Sequence, residues 1–311
     1  MKKILVTGAA GYIGSLLVPE LLRVGYEVVA LDNFMYQPTS LLDCCHFPHF
    51  TIVRGDARDE TLMVHIMKNV DYIIPLACLV GATMCEKKPL EATSINLEAI
   101  RMLLRVRTSK QRIIFPNTNS GYGVGRDGVY CDESTPLCPI SLYGRTKVEA
   151  EQALLASKNA VSLRLATVFG ISPRMRMDLL VNDFVYRAFT DRFVVLFEAH
   201  FKRNYIHVRD VVRAFLHVII NFESMKNQAY NVGLSAANLT KKELCEEIQK
   251  QLPQFVFLES SIGKDPDKRN YIVSNVKIEK TGFKPQYSLE FGISELIKGY
   301  QIVRKTQFSN N

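Results

Sequence analysis

Glycines 8, 11 and 14 follow directly on an apolar run, and no other feature of the chain narrows its folding options so far. Lys3-Ile4-Leu5-Val6 reads as a buried strand, Gly8-Ala9-Ala10-Gly11-Tyr12-Ile13-Gly14 as a GxxGxxG turn, and Ile13 to Arg23 as a helix. Such a turn lets backbone approach closely and sets amides at a helix N-terminus, where an anion such as a pyrophosphate can meet them. Taken alone, three spaced glycines also fit an ordinary strand-to-helix turn.

The rest of the first half repeats the strand-helix rhythm. Apolar runs at Glu27 to Leu31, Thr51 to Arg54, Tyr72 to Leu76, Arg112 to Phe115 and Val161 to Leu165 alternate with helical segments such as Glu91 to Arg107 and Leu142 to Ser157. Right-handed crossovers of this kind build a parallel sheet, so the fold class is α/β, a Rossmann doubly wound sheet with a smaller C-terminal domain. Residues 1–170 form the expected cofactor domain, with 204–233 returning to it. Residues 171–311 are mainly the substrate domain. There, Asp178 to Phe189, Val208 to Phe222, Thr240 to Gln251 and Leu289 to Arg304 read as helices and Ala229 to Val232 as a strand.

With 311 residues and 47% hydrophobic content the chain can fill both domains. No apolar run approaches the roughly 20 residues of a membrane helix, and Met1-Lys2-Lys3 runs into the glycine turn where a secretory leader would carry a cleavage site. A cytoplasmic location and no membrane partner are expected. The seven cysteines form no CxxC pair, which argues for reduced thiols and against a disulfide framework. The 39 Lys and Arg exceed 31 Asp and Glu by 8, but they are spread along the chain without a dense block, so nucleic acid is not an expected partner. No metal site is expected either, and His207 reads as a packed sheet histidine.

The second strand ends at Asp32, 18 residues beyond Gly14, where a carboxylate can accept the adenosine ribose hydroxyls. It would repel a 2′-phosphate, and the following Asn33 and Phe34 offer no arginine to receive one, so the cofactor is NAD. Beyond the third strand, Asp56 and Ala57 could meet the adenine, although Asp56 could equally cap the next helix. At the end of the fourth, Leu76 and small Ala77 let backbone pass beneath the ribose.

Tyr143 and Lys147 lie four apart on a predicted helix and share a face. Oxidation of a hydroxyl needs a base, and a free tyrosine with pKa near 10 is a poor one. A neighbouring ammonium and an oxidised nicotinamide would favour its phenolate. Thr118, at the end of the preceding strand, could hold the substrate hydroxyl. Both motifs are weak alone, since YxxxK recurs on exposed helices and Thr118 could be a plain turn residue.

In this order the motifs resemble the extended short-chain dehydrogenase/reductase family of nucleotide-sugar epimerases and dehydratases, over nearly the whole chain. The resemblance implies a catalytic Thr118, Tyr143 and Lys147. It implies cofactor contacts from Gly8, Gly11, Tyr12, Ile13, Gly14, Asp32, Asn33, Asp56, Ala57, Leu76 and Ala77, and from Tyr143 and Lys147 as well. It also implies a homodimer through the helices at Glu91 to Arg107 and Leu142 to Ser157. Arg203, and Arg269 in Asp267-Lys268-Arg269, match arginines that grip a diphosphate. Asn119, Ser120, Thr167, Arg174, Arg176 and Asn182 complete the implied substrate site.

Three departures bear on the reaction. Family 4,6-dehydratases carry Asp-Glu after the catalytic threonine, and Asn119-Ser120 cannot replace that acid and base. Thr167 stands where epimerases commonly have Asn, and Pro75 replaces the usual His before Leu76-Ala77. Residues 116–123, 164–176 and 265–275 look most like capsule-pathway dehydrogenases acting at C4 of GDP-manno-heptose, which implies a GDP-linked substrate. The expected function is therefore C4 oxidation to a 4-keto sugar. Its alternatives are a 4-epimerase using the same three residues, a dehydratase, and a non-catalytic NAD-binding protein.

Overall fold

The computed structural model describes residues 1–36, 38–126, 128–262 and 269–303. In chain order the first half runs β1 (Lys3–Thr7), α1 (Gly14–Arg23), β2 (Glu27–Asp32), β3 (Phe50–Arg54), α2 (Glu60–Ile66), β4 (Tyr72–Pro75), α3 (Ala82–Lys87), α4 (Pro89–Thr93), α5 (Ala99–Val106), β5 (Arg112–Thr118), β6 (Tyr130–Cys131), α6 (Leu142–Ala156) and β7 (Ala160–Leu165). The second continues with β8 (Thr167–Phe169), α7 (Leu180–Thr190), β9 (Phe193–Phe197), β10 (Lys202–His207), α8 (Val208–Ile220), α9 (Phe222–Met225), β11 (Gln228–Val232), β12 (Asn238–Thr240), α10 (Lys241–Gln251), β13 (Val256–Ser260), β14 (Ile272–Val273), α11 (Val276–Glu279) and α12 (Leu289–Tyr300).

Seven parallel strands form the main sheet in the order β11-β7-β5-β4-β1-β2-β3. The sequence explains why it is buried on both sides. Along β1, Ile4 and Val6 pack with Leu17 and Leu21 of α1 and Phe215 of α8. The intervening Leu5 packs with Met63, Leu103 and Leu154 on the other face. A strand covered by helices on both faces must be apolar at every position, which is why these runs do not alternate. Each fully buried Leu, Ile or Phe contributes roughly 1.5–3 kcal/mol.

A third core gathers α7, α10 and α12 around Val185, Leu244, Ile248 and Leu296. Two of its helices, α10 and α12, start where side chains replace missing partners. Thr240 and Glu243 form a reciprocal capping box on α10, and Ser288 Oγ accepts from Phe291 N–H at 3.1 Å on α12. His207 is fully buried, stacked on Tyr287, with Nε2 2.9 Å from Glu295 Oε2.

Three expected helices differ in outline. Glu91 to Arg107 is broken by a π turn over Ser94–Glu98. This wide turn presents Asn96 inward, where its amide accepts from Leu79 N–H at 2.8 Å and donates to Leu79 C=O at 2.9 Å. Val208 to Phe222 divides at Asn221 into α8 and α9. Asp178 stays outside α7 because Arg176 holds its carboxylate in two bonds of 2.7 and 2.6 Å. Arg304, the expected end of α12, lies outside the described residues.

Candidate active site

Strands β1 and β4 are neighbours whose crossovers lead to opposite edges of the sheet, and such a switch point leaves a crevice beyond the strand ends. A cavity of about 720 Å³ occupies it, lined from the glycine turn at one side to α6 and Arg269 at the other.

The glycine turn is shaped by contact with β4. Gly8 has φ +65°, and a Cβ there would stand 2.5 Å from the Ala77 nitrogen; at Gly14 a Cβ would stand 2.4 Å from the Ala9 carbonyl oxygen. Neither position can carry a side chain without moving backbone. Leu76 N–H donates to Thr7 C=O at 2.9 Å and Ala77 N–H to Thr7 Oγ1 at 3.3 Å, drawing the end of β4 against the turn. Asp32 accepts from Ala10 N–H at 2.9 Å and Phe34 N–H at 2.8 Å while lining the cavity. It thus both shapes the turn and presents charge to whatever lies beside it.

Asp56, which the sequence left open, is not the cap of α2. Asp59 caps that helix, accepting from Leu62 N–H at 3.0 Å. Asp56 instead lines the cavity beside Ala57, gripped by Arg58 at 2.9 and 2.5 Å and held below the usual carboxylate range by that guanidinium. Tyr12 lines the cavity too, but its phenol points away and donates to Gly170 C=O at 2.7 Å.

On the other side, Ser141 Oγ accepts from Gly144 N–H at 3.1 Å and starts α6. Tyr143 and Lys147 stand on its cavity face, and the Lys147 ammonium lies 3.9 Å above the Phe115 ring. Burial drives the Tyr143 phenol far above its ordinary pKa, the Cys78 and Cys85 thiols add to this, and Arg176 and Arg269 oppose it. Burial pushes the Lys147 ammonium the other way, toward neutral, against Cys78 and Glu151. Thr118, at the tip of β5, donates from Oγ1 to Ser120 Oγ at 2.9 Å and accepts from Ser120 N–H at 3.1 Å. Arg269 also donates to Ser120 Oγ.

The implied substrate residues do not all gather here. Ser120, Thr167, Arg174, Arg176, Arg203 and Arg269 line the cavity. Asn119 does not: it is 1% exposed and outside the cavity wall, because the short turn after Thr118 rotates it inward. Asn182 is fully buried too, its carboxamide accepting from Gly170 N–H at 3.0 Å and donating to Arg176 C=O at 2.8 Å. Its place is to brace the loop that carries Arg174 and Arg176. Asp267 and Lys268 lie outside the described residues.

Several cavity residues had no sequence signal. Tyr36, in an irregular connection, stacks under the Arg174 guanidinium at 4.3 Å. Cys78 follows Ala77 and lies near Tyr143 and Lys147, and Lys241 enters at the first turn of α10. Only their neighbours in space mark them.

Residues 4–233 match the model of the NAD dependent epimerase/dehydratase family. The chain belongs to that family. NAD is its cofactor, and the glycine turn fits it, with room for a pyrophosphate where side chains are excluded and a carboxylate at Asp32 for the ribose. This family member is 26% identical to the low-salt glycan biosynthesis protein Agl12 of Haloferax volcanii over 96% of its own length and 98% of that protein. Among solved structures it resembles the UDP-glucose 4-epimerase of Thermotoga maritima with UDP-glucose, at TM-score 0.83 and 24% identity, covering 96% and 98% of the two chains. The dTDP-glucose 4,6-dehydratase DesIV of Streptomyces venezuelae, with NAD and TYD bound, gives TM-score 0.83 at 25% identity over 96% and 97%. No helix among the described residues is long and apolar enough to cross a membrane.

Proposed function

We propose that this enzyme oxidises the C4 hydroxyl of a nucleotide-diphosphate sugar, GDP-manno-heptose by its sequence likeness, and releases the 4-keto sugar. The observation that carries this is the meeting of Thr118, Tyr143 and Lys147 in one cavity with the glycine turn and Asp32. Tyr143, as phenolate, takes the hydroxyl proton while C4 loses hydride, and Thr118 steadies the oxygen on which charge develops. Bound NAD supplies the hydride acceptor. The Arg176 and Arg269 guanidiniums near the phenol favour its anionic form against burial, and the ammonium of Lys147, one turn along α6, together with the oxidised nicotinamide would add to this. Arg203 and Arg269 suit the diphosphate, and Arg174 and Thr167 line the same cavity. Residues 1–170 with 204–233 would carry NAD and the remainder the sugar nucleotide, in a cytoplasmic homodimer.

Dehydration fits poorly, because the residues after Thr118 are an inward Asn119 and a serine held by Arg269. The second reading is 4-epimerisation by the same Thr118, Tyr143 and Lys147, in keeping with membership of the epimerase/dehydratase family. Incubation with GDP-manno-heptose and NAD, followed by NMR, separates them. A 4-keto heptose with matching NADH supports the proposal, and an inverted C4 overturns it.

A further inference from the structure

Beneath the catalytic pair, the same face of α6 carries a buried acid with no part in the reaction described above. Glu151 follows Lys147 by four residues, as Lys147 follows Tyr143, so the three form one row along the helix. Its side chain is 2% exposed. Arg164 donates to it from Nη2 at 2.7 Å and from Nε at 3.1 and 3.2 Å, and Ser162 Oγ donates at 2.5 Å, both from β7. Asn117 Nδ2, from β5, donates at 2.6 Å. In every one of these bonds the Glu151 carboxyl oxygens are the acceptors.

Asn117 and Arg164 are register partners on adjacent parallel strands, so Glu151 docks where β5 and β7 are joined. The chain of bonds continues, because Asn117 Oδ1 accepts from Thr118 N–H at 2.8 Å. We propose that Glu151 is a positioning residue for the oxidation, tying the helix that carries Tyr143 and Lys147 to the strand tip that carries Thr118. The inference rests on those three residues being the catalytic set. An ion pair serving stability alone would need neither the bond to Asn117 nor its continuation to Thr118. Glu151 also lies close enough to Lys147 for its charge to favour the ammonium.

The test uses the full-length enzyme loaded with NAD, with GDP-manno-heptose as the kinetic probe. Asn117→Ala keeps the Glu151–Arg164 pair and should lower kcat on the order of tenfold to a hundredfold with KM changed less than about twofold, as a misplaced reacting group does. Glu151→Gln should lower kcat likewise. Glu151→Asp should return kcat toward wild type. A kcat within about twofold of wild type in Asn117→Ala, or in Glu151→Gln, overturns the proposal. If Glu151→Gln does not fold, Asn117→Ala decides alone. Should Tyr143→Phe itself retain turnover, the catalytic assignment is what fails; normal turnover in both positioning variants with an inactive Tyr143→Phe sinks only the role of Glu151.

Discussion

Tyr12 and Gly170 are 158 residues apart in sequence and joined by one hydrogen bond of 2.7 Å, from the phenol of the glycine turn to the carbonyl of the residue that follows β8. Around it, Ser172 Oγ donates to Tyr12 C=O at 2.7 Å and Asn182 Nδ2 reaches the Tyr12 oxygen at 3.3 Å. The cofactor turn and the loop bearing Arg174 and Arg176 are therefore fastened together. Tyr12→Phe leaves a buried carbonyl without its donor and should cost about 1–2 kcal/mol, seen as a fall of a few degrees in Tm. An unchanged Tm would show that the clamp is not held by this bond.

Gly14→Ala puts a methyl group 2.4 Å from the Ala9 carbonyl and 2.6 Å from that of Gly8. Backbone must shift at the N-terminus of α1, where the pyrophosphate is expected. NAD affinity should fall roughly tenfold or more, with the circular dichroism of the folded protein kept. Calorimetric titration with NAD measures it.

Asp32→Ala removes the ribose acceptor and the carboxylate that holds Ala10 and Phe34. NAD should bind on the order of tenfold more weakly, the scale of one charged hydrogen bond. NADP should lose less, because the repulsion of its 2′-phosphate disappears, so the ratio of the two dissociation constants moves toward one. A ratio unchanged from wild type would remove Asp32 from cofactor selection.

Tyr143→Phe should reduce kcat about 10²- to 10⁴-fold while NAD remains bound, the span usual for a lost general base. Retained turnover, followed as NADH formed from GDP-manno-heptose, would assign the base elsewhere.

Stability should fall at alkaline pH. Burial raises the pKa of Tyr12, Tyr143, Tyr205 and Tyr300 above the ordinary 10.0. Above pH 10 the unfolded chain releases these protons while the folded one keeps them. The stabilisation is complete below that pH and declines as pH rises, by up to about 1.4 kcal/mol per group for each further unit. Tm measured from pH 9 to 11 should drop steeply; a flat curve would mean the phenols ionise freely in the native state.

The sequence by itself determined the elements that local chemistry dictates. Apolar runs bounded by turns marked the parallel strands, three glycines marked the cofactor turn, and the spacing of Tyr143 and Lys147 placed both on one helical face, because period and backbone freedom are properties of neighbouring residues. Only the tertiary structure decided which polar side chains face the cleft. It turned Asn119 away from the cavity, made Asn182 a buried support, gave the capping of α2 to Asp59 so that Asp56 stayed at the cavity, and brought Arg269 to Ser120 across 149 residues. It also joined Glu151 to Asn117, 34 residues apart, on the helix that carries Tyr143 and Lys147. A glycine turn needs only its own backbone, whereas the orientation of a polar side chain depends on donors and acceptors supplied by strands and loops distant in sequence.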